Sequence, residues 1–111
     1  MKEITAYNLI NNMNNYFILD IREHSERVKD GVIPNSYHLP LSTIDVHKIE
    51  NILNSNKGKD IVIHCHTGRR SSALINTIID NKIIDSNSNN IYNLKGGYVL
   101  WKIQGGEVTF I

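Results

Sequence analysis

The sequence has few of the features that mark disulfide-bonded, membrane or nucleic-acid-binding proteins. It contains one cysteine, so it can form no internal disulfide, and this fits a reducing compartment. No apolar run approaches the roughly 20 residues that a membrane-spanning helix needs. Its 12 basic and 11 acidic residues leave a formal net charge of +1, which argues against a general electrostatic surface for nucleic acid. Any preference for anions must therefore be local.

The first residues, Met1–Ile4, mix charges of both signs and lack the apolar core of a signal peptide. We therefore expect a cytoplasmic protein that binds neither membrane nor nucleic acid. A chain of 111 residues is long enough for one domain, 1–111, and too short for two. We expect this domain to be a monomer.

The one cysteine stands between a predicted strand and a predicted helix. Residues 61–63 are a β-branched run typical of an interior strand, and Gly68 permits a tight turn. From Arg69 onward, apolar residues recur with helical spacing. Cys65 would then lie in front of a helix N-terminus, where backbone N–H groups and nearby cations lower the pKa of a thiol. This setting favours a nucleophilic Cys65 over the small buried hydrophobe that a free cysteine often is.

The loop from Cys65 to Arg70 has six residues and two arginines. One arginine is expected to face the loop and to hold an anionic donor by charge-assisted hydrogen bonds. The sequence leaves open whether this is Arg69 or Arg70, although Arg70 suits loop closure better. His66 is a candidate for the loop entrance. Alternation turns the side chain of His64 to the other face, as an interior histidine, and this separation of the two imidazoles argues against a metal site.

Short strands alternate with helices along the whole chain. Strands are predicted at residues 16–19, 37–39, 61–63 and 91–94, and Thr5 is predicted to cap the first helix. Later helices are expected after Arg22, after Ser42 or Thr43, from Arg69 to about Asn81, and at 98–103, with a surface loop at 85–90. This order predicts an α/β fold with a parallel sheet and helices on both faces, in which Cys65 lies at the carboxyl end of a strand.

A polar stretch follows the strand at 16–19. A short helix there would place Arg22 and Glu26 four residues apart on one side, close enough to pair. For Asp20, Arg22 and Glu26 we favour a structural network of ion pairs and helix caps over a direct catalytic role.

Four stretches in this order resemble the signatures of the rhodanese-like domain family, and in particular its short single-domain sulfurtransferases. They are Leu19-Asp20-Ile21-Arg22 with Glu26, Gly31–Ser36, Ile63–Ser71, and Leu94-Lys95-Gly96-Gly97 with Trp101. Two departures occur in the second stretch, where Val32 replaces the usual His and Asn35 a common Gly.

The resemblance implies a five-stranded parallel sheet and a two-step transfer of sulfur. Cys65 would attack a donor such as thiosulfate, or another persulfide, and become a persulfide itself. A thiol, cyanide or a protein acceptor would then take the sulfur, without any cofactor or metal. Asp20 and Arg22 would support the site. The persulfide cradle would be formed by His66, Thr67, Gly68, Arg69, Arg70 and Ser71.

Two other functions use similar loops. Phosphatases and arsenate reductases related to this fold need one more loop residue, with arginine six positions after the cysteine, where this sequence has Ser71. Loop length therefore favours sulfur over phosphate. A non-enzymatic persulfide carrier or regulatory binding module is the other alternative, although binding modules of this family usually lose the cysteine.

Overall fold

The computed structural model describes residues 1–83 and 90–111. Within them lie five strands: β1 (Lys2–Ile4), β2 (Tyr16–Asp20), β3 (Tyr37–His38), β4 (Asp60–His64) and β5 (Ile91–Leu94). They alternate with the helices α1 (Ala6–Ile10), α2 (His24–Asp30), α3 (Val46–Ser55), α4 (Arg69–Asp80) and α5 (Gly97–Ile103). The surface loop predicted at 85–90 lies, except for Asn90, outside the described residues.

The strands form one sheet in the order β1-β5-β4-β2-β3, and all of these pairings are parallel. β4 is the central strand, so its carboxyl end, which leads to Cys65, lies in the middle of the sheet edge. The predicted five-stranded parallel sheet is thereby confirmed. β1 has no local signal in the sequence, because two of its three residues are exposed and it shows no alternation.

Alternation along β4 divides the core into two layers. Ile61 and Ile63 pack with residues of α3 and α4 on one face of the sheet. Val62 packs on the other face with α1 and α5, where Trp101 is almost fully buried. Helices on both faces were predicted, and this prediction is confirmed.

Most helix boundaries agree with the predictions. Thr5 caps α1 by accepting a hydrogen bond from the Asn8 N–H at 3.1 Å, as predicted. The predicted cap at Ser42 or Thr43 is wrong, because residues Leu41–Thr43 form a 3-10 turn and the chain is extended before α3. Asp45 caps α3 instead, accepting from the Lys48 N–H at 2.9 Å.

The helices in the described ranges are short. None of those within residues 1–83 and 90–111 combines the length and the apolar character that crossing a membrane requires.

Candidate active site

Cys65 directly follows the central strand, and its side chain is only 1% exposed. The chain then turns within a few residues, and α4 begins at Arg69. Gly68 makes this turn possible, since its φ of +98° lies in the left-handed region that favours glycine. The nucleophile candidate is therefore held between the central strand of the sheet and the N-terminus of α4.

The Cys65 sulfur is surrounded by hydrogen-bond donors. The Gly68 N–H donates to it at 3.1 Å and the Ser71 N–H at 3.5 Å, while the Ser71 hydroxyl oxygen lies 3.4 Å away. Burial by itself raises the pKa of the Cys65 thiol, but the Ser71 hydroxyl and the N–H groups of Ser71, Gly68 and Arg70 together bring that pKa below its ordinary value. The loop therefore stabilises a thiolate.

Asn93 of β5 supports this arrangement from the neighbouring strand. The Ser71 hydroxyl lies 2.5 Å from Asn93 Oδ1 and 3.4 Å from the Cys65 sulfur, so its one proton can be donated to Asn93 or to an ionised Cys65. Asn93 Nδ2–H donates to the Gly68 carbonyl at 3.1 Å. Asn93 and Ser71 are both buried, so these bonds satisfy polar groups that would otherwise be costly to bury. Sequence analysis did not single out Asn93. The available signal was a polar residue in the middle of an otherwise apolar strand.

Arg70 is held by an ion pair with α2. Its Nη1–H and Nη2–H groups donate to Glu26 Oε2 and Oε1 at 2.8 and 2.6 Å. These hydrogen bonds lower the pKa of Glu26 to about 2, even though partial burial opposes the shift. Hydrogen bonds to Glu26 and the charge of an ionised Cys65 both raise the pKa of Arg70, against the effect of burial. Arg70 is thus the arginine of the loop that binds the Glu26 carboxylate, and an ionised Cys65 favours its charged form.

The predicted pairing of Arg22 with Glu26 is wrong. Arg22 precedes α2, which begins at His24, so helical spacing of four residues does not apply to it. Its guanidinium instead donates to the Asp20 carboxylate at 2.9 Å and to the Gly31 carbonyl at 2.9 Å. Glu26 is free to point toward α4, where it meets Arg70.

Arg69 points elsewhere. Its side chain is exposed and lines a surface depression of about 460 Å³ together with Thr67, Ser72 and residues of β1 and β5. His66 is also exposed and borders a smaller cavity of about 220 Å³ beside Tyr98 of α5. The exposed loop residues therefore face solvent on either side of the buried sulfur.

The N-terminus of α5 binds the backbone of the cysteine loop and holds it in place. The Tyr98 N–H donates to the Cys65 carbonyl at 2.9 Å, and the Val99 N–H donates to the His66 carbonyl at 3.1 Å. A Cβ atom on Gly97 would lie only 2.5 Å from the His66 carbonyl oxygen. Glycine is therefore required at this position for α5 to approach the loop so closely.

Asp20 and Arg22 lie in a buried cluster beneath this helix. Arg27 Nε–H also donates to Asp20, at 3.2 Å, and the Arg22 guanidinium carbon lies 4.0 Å from the centre of the Tyr98 ring. The side chains of Asp20 and Arg22 are fully buried, and the contacts resolved for them within the described ranges do not include Cys65. They join β2, α2 and α5, and so hold the elements that carry the loop.

His64 belongs to the same cluster and is fully buried, as predicted for an interior histidine. Its Nδ1–H donates to the Cys65 carbonyl at 3.3 Å, and its ring stacks on Tyr98. Burial lowers the pKa of His64 to about 4, although Asp20 opposes the shift. His64 is therefore neutral at physiological pH.

A buried cysteine loop that follows the central strand of a parallel sheet also matches a known protein family. A sequence model described as the rhodanese-like domain matches residues 5–104. The chain belongs to the rhodanese-like domain family. The resemblance seen in the four sequence stretches is thereby confirmed.

Individual relatives agree with this assignment. A sulfurtransferase from Allochromatium vinosum is 28% identical over 88 residues, which cover 79% of this rhodanese-like domain and 73% of the relative. The crystal structure of a rhodanese-related protein from Thermoplasma volcanium is 28% identical, with a TM-score of 0.80 and full coverage of both chains. A rhodanese-like domain protein from Staphylococcus aureus is 29% identical, with a TM-score of 0.68, over 98% of this chain and 99% of that one.

Metal ligands do not gather in this rhodanese-like domain as far as the structure describes it. No three side chains of His, Cys, Asp or Glu within residues 1–83 and 90–111 lie close enough to hold one ion. His64 and Cys65 pack on opposite faces of the sheet, His64 against Tyr98 and Cys65 with the α3 and α4 layer.

Proposed function

We propose that this rhodanese-like domain is a sulfurtransferase that moves a sulfane sulfur from a donor such as thiosulfate to a thiol or to cyanide. One observation carries the proposal: the Cys65 sulfur lies buried in a six-residue loop and accepts hydrogen bonds from Gly68 and Ser71. The relative from Allochromatium vinosum that is named as a sulfurtransferase supports the same reaction class.

In the proposed first step, the Cys65 thiolate attacks the outer sulfur of thiosulfate. The new S–S bond forms as the old one breaks, and sulfite leaves with the electron pair. The lowered thiol pKa supplies the nucleophile, and the N–H groups that now face the sulfur would stabilise the negative charge of the persulfide. This step needs no cofactor, because the thiolate supplies the electron pair of the new S–S bond and sulfite carries away the pair of the old one.

In the proposed second step, the acceptor attacks the terminal sulfur of the persulfide. Cyanide would leave as thiocyanate, and a thiol would leave as a new persulfide, in either case restoring the Cys65 thiolate. Because the first product departs before the acceptor binds, the kinetics should be of the ping-pong type. A protein thiol would accept the sulfur in the same way as a small thiol.

The position of Ser71 argues against the related phosphatase and arsenate reductase chemistry. A longer loop would carry an arginine at this position to hold a tetrahedral oxyanion. Here the Ser71 side chain is fully buried and bonded to Asn93 and to Gly68. The loop therefore encloses one sulfur atom more readily than a phosphate group.

The proposal is tested by steady-state kinetics with several donors and acceptors. We expect thiocyanate from thiosulfate and cyanide, a persulfide from thiol acceptors, parallel double-reciprocal lines, and no transfer by Cys65→Ser. Hydrolysis of a phosphomonoester should be absent. Transfer that survives Cys65→Ser would contradict the mechanism. A Cys65 persulfide that forms but turns over with none of the small acceptors would instead support a dedicated sulfur carrier.

A further inference from the structure

We propose that Glu26 makes the site select sulfur donors by their charge. It disfavours dianionic donors relative to donors that carry one negative charge. The inference rests on the proposed sulfurtransferase function and concerns a side chain of α2 that lies outside the cysteine loop. It assigns to Glu26 a role in donor specificity, through Arg70, and not a role in bond breaking.

The geometry of the ion pair carries this inference. Both terminal nitrogens of Arg70 donate to the Glu26 carboxylate, at 2.6 and 2.8 Å. The Glu23 N–H donates to the same carboxylate at 2.8 Å as part of the capping box of α2, so Glu26 is fixed by its own helix as well. A carboxylate held from two sides cannot easily turn away when an anion approaches.

The ion pair changes the electrostatic potential beside the cysteine loop. Arg70 lies in the first turn of α4, next to the loop that holds the Cys65 sulfur, and the Glu26 carboxylate offsets part of its positive charge. The side chains of Arg70 and Glu26 are 35% and 27% exposed, so a donor arriving from solvent meets both charges together. The other arginine of the loop, Arg69, is exposed on the other side, where solvent and salt screen it.

Donor charge therefore matters more here than in a site with an unpaired arginine. A thiosulfate dianion is repelled by two negative groups, the thiolate and the fixed carboxylate, and is attracted by one guanidinium. A monoanionic donor suffers about half of that repulsion for the same chemistry. Thiosulfate and methanethiosulfonate form such a pair, because a methyl group replaces one charged oxygen. Each gives its outer sulfur to the thiolate, and the leaving group is sulfite in one case and methanesulfinate in the other.

The test is the ratio of kcat/KM for thiosulfate to kcat/KM for methanethiosulfonate. Differences in intrinsic donor reactivity cancel when this ratio is compared between variants. Glu26→Gln removes the charge and keeps an oxygen for Arg70 and for the Glu23 N–H. We expect it to raise the ratio by about three- to tenfold, as the loss of one nearby unit charge allows.

Glu23→Gln is the matched control. It removes one negative charge from the same capping box, but the Glu23 side chain contacts Ser42, whereas Arg70 binds Glu26. The ratio should stay within about twofold of wild type. If Glu26→Gln does not fold, as judged by circular dichroism and thermal melting, Glu26→Ala removes the same charge and is judged by the same ratio.

Three outcomes separate the possibilities. A rise in the ratio for the Glu26 variant alone supports the inference. An unchanged ratio, or an equal rise in Glu23→Gln, overturns it while leaving sulfur transfer intact. If wild type accepts sulfur from neither donor, the proposed function itself fails, and the donor preference fails with it.

Discussion

At the scale of single residues, the site depends on opposing effects on one sulfur atom. Burial disfavours the charged thiolate of Cys65, whereas the hydrogen bonds from Ser71 and from the loop N–H groups favour it, and the hydrogen bonds prevail. Among the groups that lower the thiol pKa, the Ser71 hydroxyl is the largest contributor. Ser71 thus has two effects: it replaces the arginine of a phosphatase loop, and it stabilises the nucleophile.

Ser71→Ala is expected to raise the pKa of the Cys65 thiol, because it removes a hydrogen bond to a charged group, worth about 1.5 kcal/mol. Less thiolate is then present at neutral pH. The rate of alkylation by iodoacetamide should fall about tenfold below the thiol pKa and match wild type at high pH.

Ser72→Ala is the control for this experiment, since Ser72 is the next residue on α4 and lines the depression beside Arg69. Its alkylation profile should superimpose on that of wild type. A Ser71→Ala profile that is unchanged, or that moves to lower pH, would show that the hydroxyl does not stabilise the thiolate.

At the scale of elements, the loop depends on the close approach of α5. Two N–H groups in the first turn of α5 bind carbonyls of Cys65 and His66, and no side chain fits between them at Gly97. The backbone of Gly97 also has a φ of +60°, in the left-handed region.

Gly97→Ala should therefore destabilise the protein and disturb the loop. Gly58→Ala is the matched control, because Gly58 also has a positive φ, of +80°, but has no atom within 4 Å of an added Cβ. We expect the free energy of unfolding to fall by about 1 kcal/mol in Gly58→Ala and by about 2 kcal/mol more in Gly97→Ala. Denaturant unfolding measures both, and sulfur transfer should fall only in the Gly97 variant. Equal losses of stability with full activity in both would contradict the role of this contact.

Local patterns predicted the elements whose signals lie within a few residues. The strand–loop–helix around Cys65 and the cap at Thr5 are of this kind. In the second signature, Asn35 stands where Gly is common and has a φ of +64°, which Asn tolerates better than most residues. β1 was missed because a three-residue edge strand has no readable period, and the cap at Asp45 because Ser42 and Thr43 have the same preferences.

The sequence did not predict the contacts between distant parts of the chain. Glu26 and Arg70 lie 44 positions apart, and Ser71 and Asn93 lie 22 apart. The side-chain spacing of a helix pointed Glu26 to Arg22, but the sheet order brings α2 beside α4 and gives it a different partner. Only the fold decides which charged groups meet.

At the scale of the whole molecule, the parallel sheet brings several loops together at one edge. All strands run in the same direction, so the loops after β2, β4 and β5 meet at one edge of the sheet. That edge carries Arg22 after β2, Cys65 after β4 and Gly97 after β5. The buried cluster of Asp20 and Arg22 joins these elements beneath the loop. The fold therefore surrounds the Cys65 sulfur with hydrogen-bond donors and places the arginine–glutamate pair next to the same loop.

Formation of a persulfide on Cys65 is tested most directly by intact mass spectrometry after incubation with a sulfur donor. We expect thiosulfate, methanethiosulfonate or another persulfide donor to add about 32 Da to the wild-type chain. Cyanide or a thiol should then remove that mass, and Cys65→Ser should never gain it. A wild-type chain that stays unmodified by all of these donors would contradict the account.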